Sequence, residues 1–402
     1  KTFPAQFITE YTGQFRAWFY YLHVLAGATF NTNAFQNVVA HGIVLAEDGK
    51  KMSKRLNNYP DPMNVINTYG ADALRLYMLS SPLLKAENLN FAEAGVDETI
   101  KKNIGRLNNV LEFYKLYADG TPRDFTSAHV LDRWIIARIN ALVGETTEGF
   151  EAYPLDEAVR PLPQFIDHLS VWYLRRSRER LKEDGEDKKA ALATLRYVLH
   201  TLAKVMAPTM PFYAEYLFQA VREGEDEESV HLSLWPEVLA HDTDAAQLLT
   251  RMFATRLVVS QALKEREDKK LNVRQPLRAL SIGSTDIFGA DTPGIDAFLK
   301  LIKDEVNVKD VRFKDGVGVE LDTTVNEELL QEGLVREVRR LLQGARKDAN
   351  LAPADTVARA IIEAPADEIA ILKKFSDELM NATRVNALDF TEAPKKRVIL
   401  EV

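Results

Sequence analysis

Apolar positions along the chain change rhythm twice. The run Val38-Val39-Ala40-His41-Gly42-Ile43-Val44-Leu45 is apolar and β-branched and stops at Glu47-Asp48-Gly49, which predicts a buried strand ending in a turn. From 91 to 222 the spacing becomes three and four. Asn103, Leu107, Val110, Leu111 and Tyr114 form one series; Leu131, Ile135, Ile139 and Leu142 a second; Leu192, Leu195, Val198, Leu199 and Leu202 a third. Pro208 and Pro211 restart the chain into a further helix over 213–221. Helix after helix with short connections predicts an α-helical bundle. The acidic run 223–228 reads as a boundary, and Val230-His231-Leu232-Ser233-Leu234-Trp235-Pro236 as a short extended strap across the bundle end. Beyond Asp242, predicted strands at 279–282, 311–313, 358–362 and 397–402 alternate with helices at 251–267 and 327–343. The latter carries Leu330, Leu334, Val338 and Leu341 as one apolar stripe. This is a small α/β module, and no internal repeat or low-complexity segment is visible.

Composition narrows the class. A chain of 402 residues implies two or three domains, and 46% hydrophobic with 27% charged residues supplies cores to bury. No stretch has the apolar length of a membrane span, and the start at Lys1 has no secretory pattern. Without cysteine there is neither a disulfide nor a thiolate zinc site, and the seven histidines are scattered with no metal-like spacing. A net charge of -8 argues against a generic nucleic-acid coat, although a folded RNA needs only a local basic surface. No Gly-rich loop followed by Lys-Ser/Thr is present, which argues against a P-loop ATPase.

Two stretches carry candidate chemistry. Lys51-Met52-Ser53-Lys54-Arg55 sits between the strand and Asn58-Tyr59-Pro60-Asp61-Pro62, followed by Gly70-Ala71-Asp72-Ala73-Leu74-Arg75. A loop with two lysines and a serine, hinged between a strand and a Pro-stopped turn, can close on a triphosphate and stabilise charge as pyrophosphate leaves. Taken alone the pentapeptide reads more readily as a solvated basic loop or a nuclear-import-like cluster; the ordered flanks reverse that weighting. The second stretch runs from Trp172 to Lys182. On a helix Arg175, Arg178 and Lys182 share a face opposite Leu174 and Leu181, which suits phosphate contact beside the aromatic Trp172. A salt-bridged surface helix is the competing explanation. The same choice applies to Arg336, Arg339, Arg340 and Arg346.

The lysine loop and its flanks resemble the nucleotide-activating loop of class I aminoacyl-tRNA synthetases. The segment Glu10-Tyr11-Thr12-Gly13-Gln14-Phe15-Arg16-Ala17-Trp18-Phe19 resembles the isoleucyl branch, whose pattern is roughly Glu-Gly-x-Asp-Gln-x-Arg-Gly-Trp-Phe. Gly13 stands for the family aspartate and Ala17 for a glycine. Lys269-Lys270-Leu271-Asn272-Val273-Arg274-Gln275-Pro276-Leu277 resembles the family's Arg-Gln-Pro-Leu turn.

The resemblance implies a mixed fold. The C-terminal piece of an α/β Rossmann-type catalytic domain, with lysine loop and stem-contact region, covers 1–90. A helical anticodon-binding domain follows over 91–240, then an α/β junction module over 241–402. Beginning inside a recognisable domain, the chain reads as the C-terminal part of something larger, and the absence of cysteine sets it apart from isoleucyl enzymes that end in a four-cysteine zinc module. The implied activity is ATP-dependent formation of isoleucyl-adenylate and transfer to tRNA(Ile) by a cytoplasmic monomer, with Mg²⁺ assisting. The implied roles are catalytic for Lys51 and Lys54, and ATP-binding for His41, Gly42, Met52, Ser53 and Lys54. Glu10, Gln14 and Trp18 would face isoleucyl-adenylate, and Trp172, Arg175, Arg178 and Lys182 would face tRNA. A valyl enzyme or a non-catalytic tRNA-binding module are the rival readings.

Overall fold

Gly42 decides how the first strand run folds. In the computed structural model, which describes residues 3–123, 127–238, 244–285, 288–289, 292–352 and 355–401, the run does not form one strand. It breaks into β2 (Phe35–His41) and β3 (Val44–Leu45), because at Gly42 the backbone presses on residue 87: a Cβ there would lie 1.8 Å from the Glu87 carbonyl oxygen. β2 pairs in parallel with β1 (Ala5–Tyr11) across the crossover helix α1 (Trp18–Phe30), and β3 pairs in parallel with β4 (Leu89–Asn90). α2 (Pro62–Tyr69) starts on Asp61, whose carboxylate accepts from the Met63 N–H at 2.7 Å, with Pro62 at the first helical position. α3 (Ala71–Leu79) follows after Gly70, whose φ of 83° suits glycine.

The bundle contains α4 (Glu93–Thr99), α5 (Gly105–Tyr117), α6 (Val130–Ala152), α7 (Leu155–Val159), α8 (Pro161–Asp167), α9 (Arg175–Lys182), α10 (Glu186–Met206) and α11 (Pro211–Val221). Wider π turns at Ile100–Ile104 and His168–Leu174 lead into α5 and α9. The expected stripes are the core: Leu107, Val110, Leu111, Ile135, Ile139, Leu142, Leu195, Val198, Leu199 and Leu202 are fully buried. The stretch after α11 differs from the expectation. Val230–Leu232 is a 3₁₀ turn held at its start by the Val230 N–H donating to the Glu215 carboxylate at 2.9 Å and by the His231 Nε2–H donating to the Pro211 carbonyl at 3.2 Å, and further on the Trp235 indole N–H donates to Thr147 Oγ1 at 2.7 Å. The acidic run is no free linker either, since Asp226 accepts a forked pair from Arg123 at 2.6 and 2.7 Å. The chain divides into two compact units, Lys1–Ala246 and Gln247–Val402; the expected boundary at 240/241 lies outside the described residues.

The second unit corrects the expectation that the chain has no internal repeat. α12 (Ala245–Asp268) leads to a sheet of β5 (Leu277–Gly283), β6 (Val308–Lys314) and β7 (Val319–Asp322), with α13 (Ile295–Val306) crossing between β5 and β6. α14 (Glu327–Asp348) leads to a sheet of β8 (Arg359–Ala364), β9 (Leu388–Glu392) and β10 (Arg397–Glu401), with α15 (Ala366–Lys374) and α16 (Ser376–Thr383) crossing between β8 and β9. In both sheets the first strand is central, the second parallel to it and the third antiparallel. Registers coincide: Ile282 pairs with Phe313 and Val319, and Ile362 with Phe390 and Val398.

The helix exits coincide as well. Lys270 (φ 56°) and Asn350 (φ 55°) turn left-handed, and the next N–H, of Leu271 or Leu351, returns to the carbonyl of a buried arginine. Arg266 donates to the Asn272 and Gln275 carbonyls at 3.0 Å each; Arg346 donates to Ala352 and Asp355 at 3.1 and 2.7 Å. Burial without a carboxylate partner pushes the Arg266 guanidinium down to about 10. Arg346 is therefore a structural residue and leaves the set of candidate RNA contacts. On α14 the buried stripe is Leu329, Leu334, Val335, Val338 and Leu342, while the predicted Leu330 is exposed and Leu341 half-buried. No helix among the described residues is long and apolar enough to cross a membrane.

Candidate nucleotide and tRNA site

The β1–β2 register gathers the first group of candidates. Glu10 lies opposite Ala40 and Tyr11 opposite His41 at the carboxyl ends of two parallel strands, the edge where open α/β sheets bind ligands. One Glu10 carboxylate oxygen accepts from the Tyr11 N–H at 3.0 Å. His41 is half-buried and its Nδ1–H donates to the Gly42 carbonyl at 2.8 Å, which leaves Nε2 as the open ring nitrogen. Gln14 lies in the 3₁₀ turn Thr12–Arg16, and its Oε1 accepts from the Trp18 N–H at 3.0 Å, capping α1. That commits the carbonyl end and leaves the NH₂ end available. Trp18, 42% exposed, lines an apolar cavity of ≈ 350 Å³ with Phe3, Ile8, Leu22, Leu25 and Ala26. At Gly13, a Cβ would fall 2.2 Å from the Tyr11 ring, so the phenol fills the space a side chain at 13 would need.

The lysine loop is tethered from within. Ala46 donates to the Lys50 carbonyl at 2.8 Å around Gly49, and Lys51 bridges back to Leu45. Met52 turns inward against the cluster of Val65, Ala73, Phe91 and Val96. Lys51 and Lys54 are exposed, and neither amine has a hydrogen-bond or ion-pair partner among the described residues. They are bonded to none of Glu10, Gln14 or Trp18. Among the described residues no group of three His, Cys, Asp or Glu side chains could hold a metal ion.

In the bundle, Leu174 and Leu181 are buried and Arg175, Arg178 and Lys182 exposed, so the helix has the two faces expected of it. Trp172 lies half-buried in the preceding π turn. Arg178 stands over the Phe113 ring at 5.6 Å, and Lys182 pairs with Glu179 at 2.7 Å. Arg180 points the other way: its guanidinium forks onto the fully buried Asp132 at 3.0 and 2.8 Å, beside the Tyr173 hydroxyl, which donates to the same carboxylate at 2.9 Å.

Comparison with known proteins bears on both regions. Residues 1–90 match the family described as tRNA synthetases class I (I, L, M and V), and residues 132–281 the anticodon-binding domain of tRNA ligase. The chain belongs to the class I tRNA synthetases. It is 45% identical over 318 residues to the isoleucine–tRNA ligase of Chlamydia muridarum, covering 77% of this chain and 30% of that protein. The Chlamydia caviae isoleucine–tRNA ligase is 40% identical over 365 residues, covering 86% of this chain and 34% of that one. The chain thus spans about a third of the length of these curated relatives. Among solved structures, Mycobacterium tuberculosis methionyl-tRNA synthetase in complex with methionyl-adenylate aligns with a TM-score of 0.46 at 21% identity, over 60% of this chain and 50% of that one.

Within this synthetase portion the structure brings Glu10, Gln14, Trp18, His41 and Gly42 to one β–α–β edge. The lysine loop is carried by the β3–α2 connection, and the basic helix lies in the bundle. Sequence reasoning missed Asn58, whose amide ties the loop together, and the roles of Asp72 and Arg75. A local signal existed for the first, because asparagine before a Pro-containing turn tends to bond nearby backbone.

Proposed function

We propose that this chain is the portion of an isoleucine–tRNA ligase that supplies the nucleotide-closing loop and the tRNA anticodon-binding surface. In the reaction a carboxylate oxygen of isoleucine attacks the α-phosphorus of ATP, the bond to the β-phosphate oxygen breaks, and pyrophosphate leaves. The terminal ribose hydroxyl of tRNA(Ile) then attacks the acyl carbon, AMP departs, and the hydroxyl proton goes to solvent. The observation that carries this reading is the pair of exposed amines of Lys51 and Lys54, without partners among the described residues, on a loop pinned to its own domain. Two unengaged ammonium groups can meet the charge developing on a departing pyrophosphate, and such stabilisation is commonly the largest catalytic contribution.

The β-edge side chains fit the other substrate. The second oxygen of Glu10 can accept from an ammonium, the free NH₂ of Gln14 can donate to polar atoms of the adenylate, and Trp18 offers apolar surface to a branched side chain. Met52 serves the loop as an anchor, while Ser53 and His41 offer polar atoms towards nucleotide. Mg²⁺ would accompany the triphosphate and help neutralise its charge. The exposed face of Arg175, Arg178 and Lys182 would take the tRNA backbone. A cytoplasmic setting follows from tRNA as partner.

Isoleucine-dependent ATP–pyrophosphate exchange by the intact protein that carries this chain tests the reading. Higher kcat/KM for valine would assign it to the valyl branch, and tRNA binding without exchange would make it a binding module.

A further inference from the structure

We propose that Asn58 is a positioning residue of the lysine loop, fixing the backbone from which Lys51 and Lys54 project; the proposal rests on the reading just given. The Asn58 Oδ1 accepts from the Ser53 N–H at 2.9 Å, and its Nδ2 donates to the Lys51 carbonyl at 3.2 Å. Both ends of one amide are thereby spent on the two backbone groups that flank Met52. The chain is returned to make this possible by a tight turn. Leu56 N–H donates to the Ser53 carbonyl at 3.1 Å, Asn57 N–H to the Lys54 carbonyl at 3.4 Å, and Asn57 adopts a left-handed φ of 45°.

The loop therefore has two pins. Met52 fixes it through apolar packing, and Asn58 fixes the same stretch through hydrogen bonds. Without the second pin the peptide around Met52 could rotate, and each lysine would sample directions away from the triphosphate. An amide is needed for the job, since aspartate has no donor for the Lys51 carbonyl and alanine has neither group. Asn58 touches neither amine, so its influence passes through the backbone alone.

The test is a double-mutant cycle in the intact protein, read by ATP–pyrophosphate exchange, with Lys54→Ala, Asn58→Ala and the combination. Expected for Asn58→Ala is a kcat loss of about tenfold with the KM for isoleucine and the thermal midpoint little changed. Asn58→Asp, which keeps the acceptor for Ser53, should fall between alanine and the parent. Added to Lys54→Ala, Asn58→Ala should cost little more, because a residue that positions Lys54 has nothing left to position. Amide hydrogen exchange at Ser53 should quicken in Asn58→Ala. Additive losses, an unchanged kcat, or unaltered exchange at Ser53 would overturn the proposal while leaving the functional reading intact. Full exchange activity in Lys54→Ala would instead overturn that reading, and this proposal with it.

Discussion

Asp72 and Arg75, one turn apart on α3, hold opposite polarities of the same bend in the helical bundle. The Asp72 carboxylate accepts from the Tyr213 N–H at 2.6 Å, within the first turn of α11. Arg75 donates to the carbonyls of Pro208 and Thr209 at 2.8 and 2.9 Å, just beyond the end of α10. Anion meets the amino end of one helix and cation the carboxyl side of the other. The Gly70-Ala71-Asp72-Ala73-Leu74-Arg75 motif is thus a clasp between the segment that follows the lysine loop and the bundle. Replacing either residue with alanine should destabilise the first unit by about 1–3 kcal/mol, since each removes charge-assisted hydrogen bonds to backbone groups at the helix ends. Urea denaturation of the two variants, followed by circular dichroism, checks this.

Lys54→Ala should lower kcat for isoleucine-dependent pyrophosphate exchange by about 10²-fold or more with little change in isoleucine binding, as expected for an interaction made chiefly in the transition state. Trp18→Ala should instead raise the KM for isoleucine far more than that for ATP. Steady-state kinetics on the intact protein separate the two patterns.

Charge reversal at Arg178 should weaken tRNA binding more than reversal at the exposed Glu225, and binding by the parent chain should fall steeply with salt. Anisotropy titrations at several salt concentrations decide it. Equal losses would mean that the face of α9 is solvated surface.

Acid should loosen the bundle at His200. Burial, with the nearby Arg123 charge, pushes the imidazole down to about 4, so the folded protein refuses a proton that the unfolded chain accepts below its ordinary 6.5. Burial tends to raise the Asp226 carboxyl, but the Arg123 hydrogen bonds and the Glu223 N–H outweigh it and hold the group at about 2. Both shifts remove stability as pH falls, His200 between roughly 6.5 and 4 and Asp226 from roughly 4 towards 2. The His200 contribution lost is at most about 3 kcal/mol. Thermal midpoints measured from pH 7 to 4 should fall, and His200→Gln should flatten that slope.

Much of the bundle was legible because its stripes are regular: Leu107, Val110 and Leu111 could face only one way. On α14 the reading slipped by one position, to Leu330 instead of Leu329, because leucines occupy both and only tertiary packing chooses. The lysine loop was legible from its charges. Asn58 was not, since its role depends on which backbone groups the turn brings within reach. The repeat escaped notice because the two halves share few identities and are matched by hydrogen bonds of Arg266 and Arg346 to carbonyls, which any sequence can offer.

Those two arginines make a paired prediction. Arg266→Ala and Arg346→Ala should each cost about 2–4 kcal/mol, because turn carbonyls lose their donor and a large cavity opens. The exposed Arg340→Ala should stay within about 0.5 kcal/mol. Chemical denaturation of the three variants provides the comparison.

The helix α14 belongs to both halves of the second unit. Near its start the Leu329 carbonyl accepts from Gln275 at 2.7 Å, Glu332 pairs with Lys309 and Arg336 with the Asn307 side chain, all groups of the first half. Further along, Val338 and Leu342 enter the core of the second half. The halves are therefore coupled like neighbouring modules of a solenoid, each leaning on the next, and stability is held in the shared junction as well as in the separate cores. Damage to the later half should spread backwards: once α14 frays, Gln275 and Lys309 lose their partners, and the earlier half opens at a lower denaturant concentration than its own core would dictate.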